Sequence, residues 1–375
     1  RDLEQAGVSA APVTVRVISS VPEVTHCPEQ MVQRMWSLGG PYPSEFPYRS
    51  KALVAFQKIG GVDVAFFAMY VQEYGDDCLE PNKNRVYISY LDSVRYFESD
   101  PPGQRTLVYH SILVAYLAYV RTLGFQWVHI WVEPPKAGDE YIFFARPDQH
   151  KKPMKRDKLR SWYVAMLDQA KEAGIVSRYA SMAEMYSDMS SIREIPLFHG
   201  DQWAITIPEL LSRIAEEQGE GDASKPSGPA KLQKMQSQEV VQRAQQEIQH
   251  LKRHFLVARL SDLKETPKVD LDPVISNDLA NSREVLLGHC QASHWQFNNL
   301  RYAQYSTMML LHHLLRKPSF CLPTCTRARK EDGSQMVGCD VCDNWYHVEC
   351  VGLTADQAAT MKSYICPQCA NVNLG

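Results

Sequence analysis

The chain has 375 residues, of which 45% are hydrophobic, and a formal net charge of −3 at pH 7. It is long and apolar enough to bury a sizeable core, and it lacks the strongly basic balance of a protein that wraps nucleic acid. No uncharged apolar run reaches the length of a membrane span, and residues 1–20 lack a signal-peptide pattern. We therefore expect an intracellular, soluble protein.

The first predicted element is a β-hairpin in the stretch KALVAFQKIGGVDVAFFAMYV. Gly60 and Gly61 separate two runs that are rich in β-branched and aromatic residues, which is typical of a tight turn between paired strands. The next stretch, RVYISYLDSV, alternates apolar and polar residues as a half-buried strand does. We expect this strand to end in a loop at Leu91, Asp92 and Ser93. A sheet therefore begins in this part of the chain.

Helices and further strands follow in alternation. The stretch RTLVYHSILVAYLAYVRTLG is apolar on nearly every side and ends in glycine, which predicts a buried helix with a glycine cap. WVHIWV predicts a buried strand that Pro134 and Pro135 stop, and YIFFA predicts another strand. Residues 158–173 have apolar positions at helical spacing. The fold class that these elements predict is α/β, with a mixed central sheet flanked by helices.

The composition changes over residues 216–231, where Gly, Ser, Pro and charged residues replace apolar ones and predict a flexible loop. Val241, Ala244 and Ile248 then step by three and four residues, which predicts a helix leading into a strand at HFLVARL. NNLRYAQYSTMMLLHHLL predicts the last long helix, and the cysteines begin directly after it.

Seven of the ten cysteines follow Phe320 and enclose one histidine. Eight residues form four close pairs: Cys321, Cys325, Cys339, Cys342, His347, Cys350, Cys366 and Cys369. Such pairs are typical of two tetrahedral zinc sites, in which the first pair joins the third and the second joins the fourth. Zinc would supply the folding free energy that so short a segment cannot obtain from apolar burial.

The order of four cysteines, one histidine and three cysteines resembles the plant homeodomain (PHD) finger. A RING finger of a ubiquitin ligase has a different order. The stretch GSQMVGCDVCDNWYHVECVGL is similar to PHD fingers that read histone H3 trimethylated at lysine 4. This resemblance implies a methyl-lysine cage with Trp345 and Met336 as walls, since an aromatic face attracts a quaternary ammonium. Asp340 and Asp343 would contact the basic peptide.

Packing within the finger is the alternative role for Trp345, because family cages usually contain another aromatic residue. Phe320 is the candidate for that second aromatic wall.

The first 310 residues contain no Gly-x-Ser-x-Gly elbow, no phosphate-binding Gly-x-x-x-x-Gly-Lys loop and no His-Glu-x-x-His pair. Several phrases nevertheless resemble, in order from about residue 12 to 315, the catalytic domain of the CREB-binding protein family of histone acetyltransferases. They are FPYRSKALVAF, GVDVAFFAMYVQEYG, RVYISYLDSV, RTLVYH, HIWVEPP, YIFFARPDQ, WYVAML, SNDL and AQYSTM. We therefore expect an acetyltransferase domain over residues 1–317 and a PHD finger over residues 318–375.

The resemblance assigns a cofactor site to several positions. Acetyl-CoA would contact the strand end and the following helix start, with Arg105 and Thr106 on the pyrophosphate and the indole of Trp162 nearby. Four further positions belong to the same expected site: Leu91, Asp92, Ser93 and Tyr109.

The resemblance also assigns chemistry. Tyr163 would be the general acid that protonates the departing thiolate, and Trp131 would shape the lysine tunnel. Asp139 falls at an acidic position of the substrate groove, where an ordinary exposed loop acid is an equally good interpretation. Core packing is the alternative role for Trp162 and Tyr163.

Three features depart from the family pattern. Lys158 stands where the family commonly has Arg, which replaces a two-pronged phosphate contact by a point charge. The loop at 216–231 is short and holds few lysines, unlike the long autoinhibitory loop of animal members. A PHD finger follows the catalytic domain where the family usually has a ZZ zinc module, and a natural rearrangement and an engineered join both fit the sequence.

The basic run over residues 150–160 would draw in the CoA phosphates by its local field. The implied function is a nuclear, acetyl-CoA-dependent histone lysine acetyltransferase whose finger binds two zinc ions and reads methylated histone H3. Its implied partners are nucleosomes, the tail of histone H3 and, as a second candidate, that of H4. Transcription factors would bind outside this chain, and neither a membrane nor sequence-specific DNA is expected. The alternative is a catalytically inactive chromatin adaptor.

Overall fold

The computed structural model describes residues 2–136, 138–147, 154–217, 230–250, 254–270, 272–315, 321–322, 325, 334–341 and 344–372. The chain divides into two compact units, Arg1–Leu310 and Leu311–Gly375. Among the described helices, none combines the length and the apolar character that crossing a lipid bilayer requires.

A seven-stranded sheet forms the centre of the larger unit. Its strands are β1 (Val13–His26), β2 (Glu45–Ile59), β3 (Val62–Tyr74), β4 (Arg85–Ser93), β5 (Trp127–Trp131), β6 (Val176–Ser181) and β7 (Phe255–Leu260). They lie in the order β1-β2-β3-β4-β5-β7-β6. Strands β4 and β5 run parallel, and every other neighbouring pair in this sheet is antiparallel. The predicted mixed sheet is confirmed.

Helices lie between these strands and after them. Those that begin in the larger unit are α1 (Asp2–Gln5), α2 (Glu29–Gly39), α3 (Arg105–Thr122), α4 (Arg156–Glu172), α5 (Met182–Met185), α6 (Trp203–Glu217), α7 (Ala230–His250), α8 (Arg283–Ala292) and α9 (Leu300–Leu315). The smaller unit contains strands β8 (Met336–Gly338) and β9 (Trp345–His347) and helices α10 (Ala355–Thr360) and α11 (Pro367–Val372). Short 3₁₀ helices occupy Ile192–Glu194 and Glu349–Val351.

The predicted hairpin is confirmed as β2 and β3. Gly60 and Gly61 both have positive φ, 59° and 83°, which glycine adopts without a steric penalty and which a two-residue hairpin turn requires. The predicted helices in RTLVYHSILVAYLAYVRTLG and over residues 158–173 are confirmed as α3 and α4. Gly124 follows α3 with φ 96° and completes the expected glycine cap.

The parallel pair β4–β5 positions the candidate site. Helix α3 connects the two strands, so its first residues lie near the end of β4. Backbone pairing between β4 and β5 runs from Arg85↔Trp127 to Ile88↔Ile130 and stops there, whereas β4 stays paired with β3 up to Ser93. Strand β4 therefore continues beyond its pairing with β5, and the crevice at such carboxyl ends is where open α/β sheets bind ligands.

Two predictions near this crevice are wrong. Leu91, Asp92 and Ser93 do not form a loop, because all three remain paired with β3. The stretch YIFFA is not a strand but a series of bends and turns. The reason is that the backbone N–H groups of Ile142 and Phe143 donate to the side chain of Asp92 and not to a neighbouring strand.

The sequence pattern missed strands β1 and β6 and helices α2, α6 and α8. The predicted loop at 216–231 is wrong at both ends, because α6 continues to Glu217 and α7 includes Ala230 and the residue after it. Residues 218–229, which make up the rest of that prediction, lie outside the described residues.

Asp201 is a buried acid just before α6, and burial raises the pKa of its carboxyl to about 8. Because this folded-state pKa lies above the ordinary value of an unfolded chain, the stability contribution is complete at low pH and is lost as the pH rises towards 8. We expect Asp201→Asn, which cannot ionise, to melt at the parent's temperature near pH 4 and above it at pH 8. Calorimetry at both pH values checks this, and an equal difference at the two would contradict the raised pKa.

Candidate functional site

The carboxylate of Asp92 ties the end of β4 to the loop that follows β5. Its Oδ2 accepts backbone hydrogen bonds from Ile142 at 2.9 Å and Phe143 at 3.1 Å, and its Oδ1 accepts from the backbone of Ser93 at 2.8 Å. Arg146 Nη1 lies 2.9 Å from Oδ1 in an ion pair whose two side chains are only 11% and 6% exposed. Burial raises the pKa of Asp92, and the arginine and N–H donors oppose that shift. The Asp92 carboxylate is therefore held inside the protein by these hydrogen bonds and this ion pair.

The first turn of α3 carries the positive charge of Arg105, which has no partner among the described residues. Arg105 is half-buried and Thr106 is exposed, and no side chain caps this 18-residue helix. In the part of the chain that the structure describes, Arg105 forms no ion pair or hydrogen bond. Tyr109, one turn later, is buried and donates its hydroxyl to the carbonyl of Val94 at 3.3 Å. Free N–H groups and a free guanidinium at a helix start form a suitable anion site.

Tyr163 and Trp162 lie on α4, beside α3. Their rings meet edge to face at 5.0 Å between centroids, and Trp162 contacts the buried ring of His110 on α3 at 4.6 Å. Burial raises the pKa of Tyr163, and Tyr141 is close enough to add to that shift. No described residue forms a hydrogen bond with the Tyr163 hydroxyl. At neutral pH this phenol therefore keeps its proton and can donate it.

Tyr90 and Tyr141 form an aromatic wall that the sequence pattern did not single out. Their rings meet edge to face at 5.8 Å, and the guanidinium of Arg283 lies 4.6 Å from the centroid of Tyr90. Arg283 Nη1 also donates to the carbonyl of Tyr141 at 2.9 Å. Tyr90 is one of the alternating apolar positions that predicted β4, but the pattern gave it no role in the site. Tyr141 was hidden because YIFFA was interpreted as a strand.

Trp131 and Asp139 lie at the end of β5 and in the loop that follows it. Trp131 ends β5, is half-buried and packs edge to face on Phe255 at 4.7 Å. Asp139 is exposed, and its Oδ2 accepts the backbone N–H of Lys136 at 3.0 Å. Arg146 reaches the Asp139 carbonyl at 3.0 Å, so the loop that carries Asp139 is tied to Asp92. The predicted residues on β4, α3 and α4 come together, and Asp139 stays at the solvent-exposed edge.

The smaller unit brings one complete set of metal donors together. Cys321, Cys325, His347 and Cys350 have donor atoms that all lie within 4.8 Å of one another. The Cys325 and Cys350 sulfurs are 3.8 Å apart, and His347 Nδ1 is 3.4 Å and 4.0 Å from them. A tetrahedral zinc site has sulfurs about 3.8 Å apart and sulfur and nitrogen about 3.5 Å apart. These donors fit zinc, and the predicted joining of the first and third pairs is confirmed.

A second set contains Cys339, Cys366 and Cys369, again within 4.8 Å. The backbone N–H of Cys366 donates to the Cys339 sulfur at 3.2 Å, and that of Cys369 to the Cys366 sulfur at 3.4 Å. Such donors stabilise thiolates, the form that binds metal. Cys342, the predicted fourth ligand, lies outside the described residues. Sequence spacing alone predicted the seven described residues of these two donor sets.

Trp345 and Met336 share one face of the hairpin β8–β9. Trp345 pairs with Gly338 and Met336 with His347, so the two side chains are diagonal neighbours across the strands. Trp345 is 50% exposed, whereas the adjacent Tyr346 is buried in the core of the finger. Packing of the core is therefore the task of Tyr346, and the Trp345 ring is available to a ligand.

Asp340 braces the finger from within. Its Oδ2 accepts the backbone N–H of Tyr364 at 2.8 Å, and its own N–H donates to the Tyr364 carbonyl at 2.9 Å. Phe320 and Asp343 lie outside the described residues.

Comparison with known proteins gives curated relatives of similar sequence. Protein cbp-1 of Caenorhabditis elegans is 31% identical over 83% of this chain and 17% of its own length. Probable histone acetyltransferase HAC-like 2 of Oryza sativa subsp. japonica is 31% identical over 80% and 27%. Histone acetyltransferase HAC1 of Arabidopsis thaliana is 29% identical over 90% and 25%. The chain thus spans about a quarter or less of the length of these relatives.

Two family models match different parts of the chain. The PHD-finger model matches residues 321–369, which contain both donor sets. The model of the histone acetyltransferase domain KAT3 matches residues 2–268, which contain the crevice and most of the chain. The resemblances to a PHD finger and to the catalytic domain of the CREB-binding protein family are confirmed, and the chain belongs to the KAT3 histone acetyltransferase domain family.

Proposed function

We propose that this chain transfers the acetyl group of acetyl-CoA to lysine side chains of histones. The observation that carries the proposal is that α3, whose first turn holds Arg105, packs through His110 on Trp162 of α4, next to the protonated phenol of Tyr163. Acetyl transfer needs a bound thioester, an amine in line with it and a proton for the departing thiolate. The family membership and the names of the plant relatives, which call them histone acetyltransferases, support the same reaction.

The cofactor binds along the end of β4 and the start of α3. Arg105 and Thr106 hold the pyrophosphate, and Leu91 and Ser93 contribute through their half-exposed positions at the strand end. Asp92 contributes indirectly, because its carboxylate holds the neighbouring loop in place.

Lys158 stands where the family commonly has arginine. Arg160, two residues later on α4, has a buried Nη1 without a hydrogen-bond partner among the described residues. A guanidinium in that state is suited to an incoming phosphate, which makes Arg160 a candidate to replace the missing arginine. Residues 150–153, the first part of the basic run, lie outside the described residues.

The acceptor lysine enters between Trp131 on β5 and the aromatic wall formed by Tyr90 and Tyr141. Tyr163 then acts as the general acid that protonates the thiolate, since its raised pKa keeps the hydroxyl protonated at neutral pH. Asp139 contacts basic residues of the peptide at the exposed edge of this groove.

Replacement of Arg105 tests the cofactor site. We expect Arg105→Ala to raise the KM for acetyl-CoA by about tenfold, because one charge-assisted phosphate contact is lost while the reacting groups remain. Initial rates at varied acetyl-CoA measure this change. Arg95→Ala is the control, since it removes an exposed arginine from the preceding loop. An unchanged KM for acetyl-CoA, with the defect confined to the peptide, would remove Arg105 from the cofactor site.

The finger is proposed to bind two zinc ions and to read histone H3 methylated at lysine 4. The first donor set fits one ion, and the second set would be completed by Cys342. The exposed Trp345 ring and the Met336 side chain on the same face supply an aromatic and a polarizable wall for a quaternary ammonium. Asp340 serves this site by holding Tyr364 through Oδ2. The predicted contact of its carboxylate with the peptide would use the other oxygen, Oδ1.

Replacement of Trp345 tests the reader. We expect the chain to bind an H3 tail trimethylated at lysine 4 more tightly than the unmodified tail, by about 0.5–2 kcal/mol of cation–π attraction. Trp345→Ala should abolish that preference, whereas Val341→Ala, which alters another exposed side chain of the finger, should keep it. Calorimetry with both peptides measures the difference, and native mass spectrometry verifies two zinc ions in each variant. Equal affinities of the parent for the two tails would leave Trp345 as a structural residue only.

A catalytically inactive chromatin adaptor is the second candidate, favoured only by the presence of the finger. An acetyl-transfer assay on H3 and H4 peptides separates the two functions. The proposed activity also implies a nuclear location and nucleosomes as partners, with transcription factors binding outside this chain.

A further inference from the structure

Trp131 is in contact with a histidine that no motif predicts. The His254 ring stacks on the Trp131 indole, with 5.5 Å between the centroids and 20° between the planes. His254 Nε2 lies 3.2 Å from Glu133 Oε2. Because a carboxylate can only accept, this nitrogen carries the proton. The other ring nitrogen, Nδ1, is buried and has no hydrogen-bond partner within the described ranges. Among the described residues, Glu133 is therefore the one side chain that orients this ring by a hydrogen bond.

Glu133 also joins the end of β5 to helix α4. Arg156 Nε and Nη2 donate to Glu133 Oε2 and Oε1 at 2.7 Å and 2.6 Å. A two-pronged arginine–carboxylate pair fixes orientation as well as distance. Arg156 precedes Tyr163 by seven residues, which is about two helical turns and places both on one side of α4. The contacts therefore run from the helix that carries Tyr163 to the indole of Trp131.

The burial of these side chains increases along the contacts from Arg156 to His254. Arg156 is 43% exposed, Glu133 27% and His254 18%. An isolated pair on the surface would contribute little to orientation because solvent competes for it. Here the carboxylate accepts from two partners on different elements, and the backbone N–H of Val132 donates to the His254 carbonyl at 2.6 Å. His254 is therefore held at three points: its ring face on Trp131, its Nε2 atom on Glu133 and its backbone carbonyl on Val132.

We infer that His254 and Glu133 are positioning residues that hold Trp131 in the orientation that accepts the substrate lysine. This inference rests on the proposed function, because it assigns Trp131 to the acceptor site. Small displacements of a positioning group cost large factors in binding or rate, so the loss of the His254–Glu133 contact should be measurable.

The test is the affinity of the intact chain for an H3 peptide and for the same peptide with its target lysine changed to alanine. Fluorescence anisotropy with CoA present measures both. We expect the parent to bind the lysine peptide more tightly than the alanine peptide. His254→Phe and Glu133→Gln should each weaken binding of the lysine peptide by about tenfold and leave binding of the alanine peptide unchanged. His254→Phe keeps the ring stack and removes the donor. Glu247→Gln is the control, because it disrupts an exposed ion pair with Arg213.

The double variant adds a second criterion. Residues that act through one contact are not additive, so His254→Phe with Glu133→Gln should bind the lysine peptide no worse than either single variant. Parent-like affinity of His254→Phe for the lysine peptide would overturn the inference, as would equal weakening of both peptides. Turnover measured on the same samples reports separately on the proposed function: a parent that binds the lysine peptide selectively without acetylating it would contradict the enzyme and leave the positioning role supported.

Discussion

Tyr163→Phe should lower the turnover number for acetyl transfer by about a hundredfold or more, which is the range for loss of a general acid. Removal of one hydroxyl leaves the packing of the ring on Trp162 in place, so the fold should persist. The affinity for acetyl-CoA should also persist, because the proposed phosphate contacts, Arg105 and Thr106 on α3 and Arg160 on α4, do not involve this hydroxyl. Single-turnover kinetics with saturating acetyl-CoA measure the chemical step directly.

Tyr179→Phe is the matched control for this substitution. It removes the hydroxyl of a tyrosine on β6 that donates to Asp168 of the same helix α4, outside the crevice. We expect the control to turn over at the parent rate. Parent-like turnover of Tyr163→Phe would exclude the proton-donor role, and a fall in the melting temperature that matches the fall in rate would indicate a packing role instead.

Asp92→Ala should destabilise the larger unit by about 3–5 kcal/mol, which is the cost of removing one partner from a buried ion pair. The loss leaves the Arg146 guanidinium and the backbone N–H groups of Ile142 and Phe143 without their acceptor. Because these groups anchor the loop that carries Tyr141, acetyl transfer should be lost as well. Denaturant unfolding gives the free energy, and initial rates give the activity.

Glu247→Ala removes an acid from the exposed pair with Arg213 and should cost less than about 1 kcal/mol. If Asp92→Ala were as mild as this control, the Asp92–Arg146 contact would not be what holds the loop. Asp92→Asn should fall between the two variants, since the amide keeps an acceptor oxygen and loses the charge.

Local patterns were sufficient wherever neighbours in sequence determine the structure. The hairpin at Gly60-Gly61 depends on two adjacent glycines, and the predicted zinc ligands form pairs three or four residues apart. Strand β6 has only six residues and is exposed at half of its central positions, so its pattern was too weak to identify.

Long-range contacts account for what the sequence could not predict. YIFFA has the composition of a strand, but Asp92, fifty residues earlier, takes its backbone donors. The contact between His254 and Trp131 exists because β5 and β7 are neighbours, and nothing in either stretch indicates that pairing. The resemblance assigned roles to Tyr163 and Arg105. Tyr141 and Glu133 lie within the motifs YIFFARPDQ and HIWVEPP but received no role from them, and Arg283 lies outside every motif.

The most direct test of the central claim is acetyl transfer by the purified chain. Acetyl-CoA and a histone H3 peptide are incubated with the parent and with Tyr163→Phe, and acetylated lysine is followed by mass spectrometry. The parent should acetylate lysine at a rate that is proportional to enzyme and saturates with acetyl-CoA, and Tyr163→Phe should be slower by about a hundredfold or more. The contradicting result would be that the folded, zinc-loaded parent acetylates H3 and H4 peptides no faster than acetyl-CoA does without protein. That result would favour the chromatin adaptor.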